Sequence, residues 1–130
     1  MGLGKRQITE YLDIDLDKEK WCCNRCGTEL IGVRENYKKG CLVYERDPRD
    51  IYNYVSTEGF TKKPKEGFIG LCPDPEWVSI LEFYCPKCGV MVETEILPKG
   101  HPITHDIELD IDKLKRKENQ AVKKPRSVKK

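Results

Sequence analysis

From Leu12 to Asp17 the chain reads Leu-Asp-Ile-Asp-Leu-Asp, apolar and acidic in strict alternation. A period of two predicts a strand with one buried and one solvated face. Thr28 to Val33, after Gly27, reads as a short return strand. Val78 to Tyr84 is rich in β-branched and aromatic residues and predicts a third strand. After Gly89, Val90, Val92, Thr94 and Ile96 alternate with Met91, Glu93, Glu95 and Leu97, which predicts a fourth. Ile103, Ile107, Leu109 and Ile111 suggest a fifth. Residues 34–77 form a long middle section of scattered Tyr, Gly and Pro, with one or two helical turns expected from Arg49 to Val55. Tyr37, Tyr44, Ile51, Tyr52, Tyr54, Phe60, Phe68, Ile69 and Trp77 all fall in this irregular stretch. Such side chains need cover, from the rest of the chain or from a partner.

Charge divides the chain. Residues 113–130 carry nine Lys/Arg and one acid, Glu118, a charge of +8. The body before Lys113 keeps 15 of the 24 basic and 21 of the 22 acidic groups, a charge of −6. A helix could reach about Val122, but Pro125 and the density of like charges predict a disordered tail. At 130 residues the chain is long enough for a modest core. No run of ~18 apolar residues exists, which excludes a membrane-spanning helix. The stretch from Met1 to Lys20 lacks the apolar core of a secretory signal, and Arg6 stands where myristoylation requires Ser or Thr. The expected location is the cytoplasm, where thiols stay reduced.

In that setting seven cysteines read as metal ligands or buried thiols. Cys23-Asn24-Arg25-Cys26-Gly27 and Cys85-Pro86-Lys87-Cys88-Gly89 are two CxxCG knuckles, each expected at the tip of a β-hairpin. Two residues between the cysteines turn both sulfurs to one side, and the Gly supplies a positive φ. Four thiolates suit a structural Zn²⁺, and Arg25 and Lys87 would offset the −2 centre. The long stretch between the knuckles, Gly27 to Tyr84, implies an insertion. The predicted fold class is mostly β: a zinc-ribbon-like pair of hairpins with a long insertion between the knuckles and a flexible basic C-terminal tail. Residues 1–112 would form one domain with insertion 34–77, and residues 113–130 the tail. Cys22, next to Cys23, is an alternative ligand, although the regular spacing favours Cys23. Cys41 and Cys72 read as small buried hydrophobes. A second metal site using them with His101 and His105 has no knuckle spacing behind it.

Catalytic signatures are absent: no GxSxG, P-loop, dinucleotide fingerprint or HExxH occurs. A closed four-thiolate site holds structure and leaves no open position for substrate. A nucleic-acid-binding zinc ribbon is the alternative reading, but the acidic body weighs against phosphate binding. Four knuckle thiolates would also suit a rubredoxin-like iron centre.

Glu35-Asn36-Tyr37-Lys38, Leu42-Val43-Tyr44-Glu45-Arg46-Asp47-Pro48, Pro73-Asp74-Pro75-Glu76-Trp77, Leu81 through Gly89, and Pro102-Ile103-Thr104-His105-Asp106 occur in this order along the chain. Together they resemble the small, γ-type subunit of acetone and acetophenone carboxylases. The resemblance covers about residues 21–112 and leaves the basic tail outside. It implies a non-catalytic, zinc-binding subunit of a hetero-oligomeric, ATP-dependent ketone carboxylase. Such complexes condense a methyl ketone with bicarbonate to a β-keto acid. Their hydantoinase-like large subunits carry the ATP, divalent-metal and catalytic sites. The short chain leans towards the acetophenone type.

Overall fold

The computed structural model describes residues 2–51, 55–56, 68–69 and 73–123, with only the backbone for 55–56, 68–69 and 121–123. It is mostly β, and the chain divides into two compact units. The first comprises residues 1–42, 83–92 and 104–130; the second comprises 43–82 and 93–103. The chain leaves the first unit after Leu42, re-enters it for residues 83–92 and returns to it from Thr104.

Four strands form an antiparallel meander in the first unit: β1 (Lys5–Gln7), β2 (Leu12–Asp15), β3 (Lys20–Cys23) and β4 (Glu29–Gly32). The alternation at the start of β2 does what it predicts, burying Leu12 and Ile14. The strand stops at Asp15 rather than Asp17 because the Asp15 carboxylate accepts from the Asp17 and Lys18 amides, both at 3.0 Å, and closes a turn. Such carboxylate-to-backbone bonds compete directly with a strand ladder. Leu16 is still buried, beyond the strand end. Opposite, Ile14 pairs with Trp21, and Trp21 with Ile31. Leu12, Ile14, Leu16, Trp21, Val33, Tyr37 and Ile111 make one core cluster. Trp21 donates from Nε1 to the Glu35 carbonyl (3.1 Å) and meets Tyr37 with ring centroids 5.4 Å apart. Tyr37 is therefore a core residue, covered by its own chain and not by a partner.

After β4 a short 3-10 turn, Tyr37–Gly40, is capped by the Asn36 side chain, which accepts from the Lys38 amide. Only glycine fits at position 40, where a Cβ would meet the Leu30 carbonyl oxygen at 2.6 Å. This turn grips residues 104–106. Asn36 Nδ2 and Lys38 Nζ both donate to the Thr104 carbonyl, at 3.0 and 3.1 Å, and the Tyr37 hydroxyl lies 3.2 Å from Asp106 Oδ2. Lys38 is 1% exposed, with Asp106 3.4 Å away and the Phe83 ring 5.5 Å from its ammonium. A buried ammonium is tolerated only with partners of this kind. Two segments quoted for their family resemblance thus form one interlock.

The expected fifth strand is not formed. The Thr104 carbonyl is engaged by Asn36 and Lys38, and Ile107 and Leu109 pack on the core from extended chain. Asp110 then starts a helix, its carboxylate accepting from the Lys113 amide at 3.0 Å. The helix is α2, Ile111–Lys123, where disorder from residue 113 was expected. Ile111 and Leu114 anchor it on the core, and three ion pairs hold it: Arg34–Asp112, Lys115–Glu19 and Arg6–Glu118. Residues 124–130 lie outside the described residues.

The second unit contains β5 (Leu42–Arg46) from Val43 on, α1 (Pro48–Ile51), β6 (Val55–Ser56) and β7 (Phe68–Ile69). It also holds the outer parts of β8 (Val78–Tyr84) and β9 (Met91–Pro98). β8 is the centre of a three-stranded sheet ordered β5-β8-β9; β6 and β7 pair antiparallel, Val55 opposite Ile69. The helical turn expected from Arg49 to Val55 is the single turn α1, started by Asp47, whose carboxylate accepts from the Arg49 amide at 2.9 Å. Glu82 on β8 is buried because Arg46 holds it with two bonds, 3.0 and 3.2 Å, while stacking 4.7 Å over Tyr44. The Glu-Arg-Asp-Pro segment is thereby a structural corner. Tyr52, Tyr54, Phe60 and Cys72 lie outside the described residues, as do the side chains of Phe68 and Ile69. Among the described residues no helix is long and apolar enough to cross a membrane.

Candidate metal centre

The first knuckle joins β3 to β4 and the second joins β8 to β9. The strand entering the first knuckle is thus β3, not the one read at Leu12–Asp17. The two tips share one backbone design. The carbonyl of the leading Cys accepts from the Gly amide, Gly27 to Cys23 at 2.8 Å and Gly89 to Cys85 at 3.0 Å. The amide of the same Cys donates to the residue after the Gly, Cys23 to Thr28 at 2.8 Å and Cys85 to Val90 at 2.9 Å. Gly27 and Gly89 take φ of +80° and +79°, a conformation that penalises any Cβ. The turn that results aims amides at sulfur: Lys87 N–H donates to Cys85 Sγ at 3.5 Å, and the Arg25 and Cys26 amides serve Cys23.

Cys23, Cys26, Cys85 and Cys88 come together, all four sulfurs within 4.8 Å of one another. Cys23 Sγ is 3.7 Å from Cys88 Sγ, and Cys26 Sγ is 3.6 Å from Cys85 Sγ. A disulfide needs ~2.05 Å. A tetrahedral cation ~2.3 Å from each sulfur sets sulfur–sulfur edges of ~3.8 Å. Both distances lie near that edge and far from a disulfide, so the donor set fits a thiophilic divalent cation. Cys23 and Cys85 are buried and Cys26 and Cys88 exposed, so the cluster is seated in the first unit and open on one side. Burial pushes the Cys23 thiol up to about 12, because a lone thiolate there lacks solvent. Cys26 is held down to about 6, chiefly by the Thr28 hydroxyl and amide. A bound cation would replace the shared protons, so acid should compete with metal.

Cys22 stands apart: opposite Asp13 in the β2–β3 register, with its sulfur 3.8 Å from the Lys20 carbonyl. Cys41 contacts the Tyr37 carbonyl at 3.5 Å, and burial pushes its thiol up to about 11. His101 and His105 are exposed. Among the described residues the four knuckle cysteines are the one group able to hold a metal, and Cys41 and the histidines form no second one. Thr28 is the residue that sequence reasoning missed. It was read only as the start of a strand, yet its hydroxyl lies 3.0 Å from Cys26 Sγ and is the donor once the sulfur is a thiolate. Partners of metal ligands typically change affinity by about 10–100-fold. Thr28→Val should therefore weaken metal binding at least tenfold in competition with a chromophoric chelator; an unchanged affinity would assign Thr28 to packing alone.

The sequence matches the family described as acetone carboxylase gamma subunit over residues 7–119. The chain belongs to that family. The matched stretch runs into α2 as far as residue 119, so most of that helix lies within the family pattern, not outside it. The chain is 54% identical over 116 residues to the acetophenone carboxylase beta subunit of Aromatoleum aromaticum, covering 89% of this chain and 83% of that one. It is 28% identical over 96 residues to the acetone carboxylase gamma subunit of Xanthobacter autotrophicus, covering 72% of this chain and 50% of that one. Family membership makes the chain a subunit of a carboxylase, with a four-cysteine cluster able to hold a metal ion.

Proposed function

We propose that this chain is the zinc-stapled, non-catalytic small subunit of an ATP-dependent ketone carboxylase, nearer the acetophenone than the acetone type. The observation that carries the assignment is the 54% identity to an acetophenone carboxylase subunit, over 89% of this chain and 83% of that one. In this reading the complex joins acetophenone or acetone to bicarbonate, giving a β-keto acid. Hydantoinase-like large subunits bind ATP and the divalent metal and perform the chemistry in the cytoplasm. Cys23, Cys26, Cys85 and Cys88 hold Zn²⁺, which clamps the β3–β4 and β8–β9 hairpin tips together and activates nothing. The sulfur spacing and the amides aimed at sulfur support this role.

A nucleic-acid role finds less support. Of the basic groups at α2, Lys115 and the neighbouring Arg6 and Arg34 are committed to ion pairs within the first unit. The test is co-expression of the tagged full chain with the large subunits. Capture should recover them and ATP- and ketone-dependent carboxylation, whereas the chain alone should hydrolyse no ATP. Turnover by the isolated chain, or failure to recover the large subunits, would overturn the assignment.

A further inference from the structure

Among the described residues, buried and exposed apolar side chains are distributed unevenly between the two units. Of the thirteen buried hydrophobic residues among those described, only Ile80 and Leu97 belong to the second unit. Of the seven large hydrophobic residues left exposed, five belong to it: Val43, Tyr44, Ile51, Trp77 and Ile96. Trp77 is 73% exposed, and Val43 and Tyr44 are each about half exposed, at 52% and 49%. Val43 and Tyr44 are neighbours on β5, so they point to opposite faces of the strand. Among the described residues neither face of β5 is covered, and the strand pairs with β8 on one side only. An apolar edge strand of this kind is a pairing site unless something covers it.

The charges around β5 indicate what kind of surface does so. Glu45 is paired with Lys99 at 2.7 Å, Arg46 with Glu82 at 3.0 Å and Asp47 with Arg49 at 2.6 Å. Covering the strand would leave none of these charges without a partner, which removes the main penalty for burying it. A highly charged partner such as a nucleic acid would find each cation already neutralised. The complementary surface is apolar and carries little charge. Aromatic residues such as Trp77 and Tyr44 are enriched at the centres of such interfaces.

We infer that β5, with Ile51 beyond its end and Trp77 just before its neighbour β8, is the surface through which this chain binds a large carboxylase subunit. The inference rests on the carboxylase assignment above and adds the place of contact. It is tested by capture from cells that co-express the tagged full chain and the large subunits, using Val43→Lys and Trp77→Glu separately. Lys113→Glu, on the exposed side of α2, is the control. Each β5-region variant should recover at least tenfold less large subunit, with metal content and melting temperature unchanged, while the control recovers as much as wild type. In the wild-type complex, the β5 amides should exchange hydrogen more slowly than in the free chain. Undiminished recovery by both variants, or β5 amides no better protected in the complex, overturns the surface and leaves the carboxylase assignment standing. A wild-type chain that recovers no large subunit overturns both. A wild-type chain that instead cross-links to a second copy through β5 overturns the choice of partner.

Discussion

Changing Cys85 to Ser should abolish metal binding and unfold the first unit. Cys85 is fully buried, is the leading residue of its knuckle and sits 3.6 Å from Cys26 in the cluster. A structural zinc contributes on the order of 10 kcal/mol to folding. Domains of this size hold only about 5–15 kcal/mol in total. Losing one of four thiolates thus removes a share of stability comparable with the whole. Elemental analysis should find about one zinc in the wild-type chain and none in the variant, and circular dichroism should show a lost cooperative melt. Exhaustive chelation, or acid that protonates the thiolates, should do the same to the wild-type chain. Cys22→Ser and Cys41→Ser should keep the metal, because neither sulfur is in the cluster. A Cys85→Ser protein that retains zinc and melts as wild type would sink the four-cysteine site. Iron in place of zinc would turn the reading towards a rubredoxin-like centre.

The second large effect is expected at Trp21. Its side chain is fully buried against Ile14, Ile31 and Tyr37, and its indole N–H satisfies the Glu35 carbonyl. Trp21→Ala should cost about 3–5 kcal/mol through the cavity it opens. Trp21→Phe fills much of the space but leaves the carbonyl without its donor, a loss of about 1–3 kcal/mol. Urea denaturation of the metal-loaded chain separates the two variants. An Ala variant as stable as wild type would mean that this cluster is not the core of the first unit.

Trp21 also shows why β3 was not legible. Lys-Trp-Cys-Cys buries three consecutive residues, so no alternation marks a strand. β1 is three exposed polar residues, defined only by its pairing with β2. By contrast β2, β4, β8 and β9 carry their own marks, alternation or β-branched and aromatic runs, because each presents a face to a core within the sheet. The end of β2 was misplaced because Asp13, Asp15 and Asp17 look alike in sequence. Only the fold shows that Asp15 closes a turn and that Asp17 accepts from the Leu3 and Gly4 amides.

The cluster could be read in advance because its chemistry is local. Two CxxCG tips specify their own turns and sulfur directions whatever lies between them, and four thiolates have few other stable arrangements. The family could be read for the same reason, from short segments that hold their order along the chain. What only the tertiary structure decided depends on partners distant in sequence. Lys113 to Glu118 look like a solvated charge run until Glu19, Arg34 and Arg6 are brought alongside to order α2. Tyr37, read as needing a cover, receives it from Trp21, on the far side of the first knuckle and β4. Lys38 has an ordinary surface composition and a buried position, made tolerable only by Thr104 and Asp106. Composition and spacing record what a residue prefers; burial and pairing depend on which distant residues the fold delivers to it, and that information is not local.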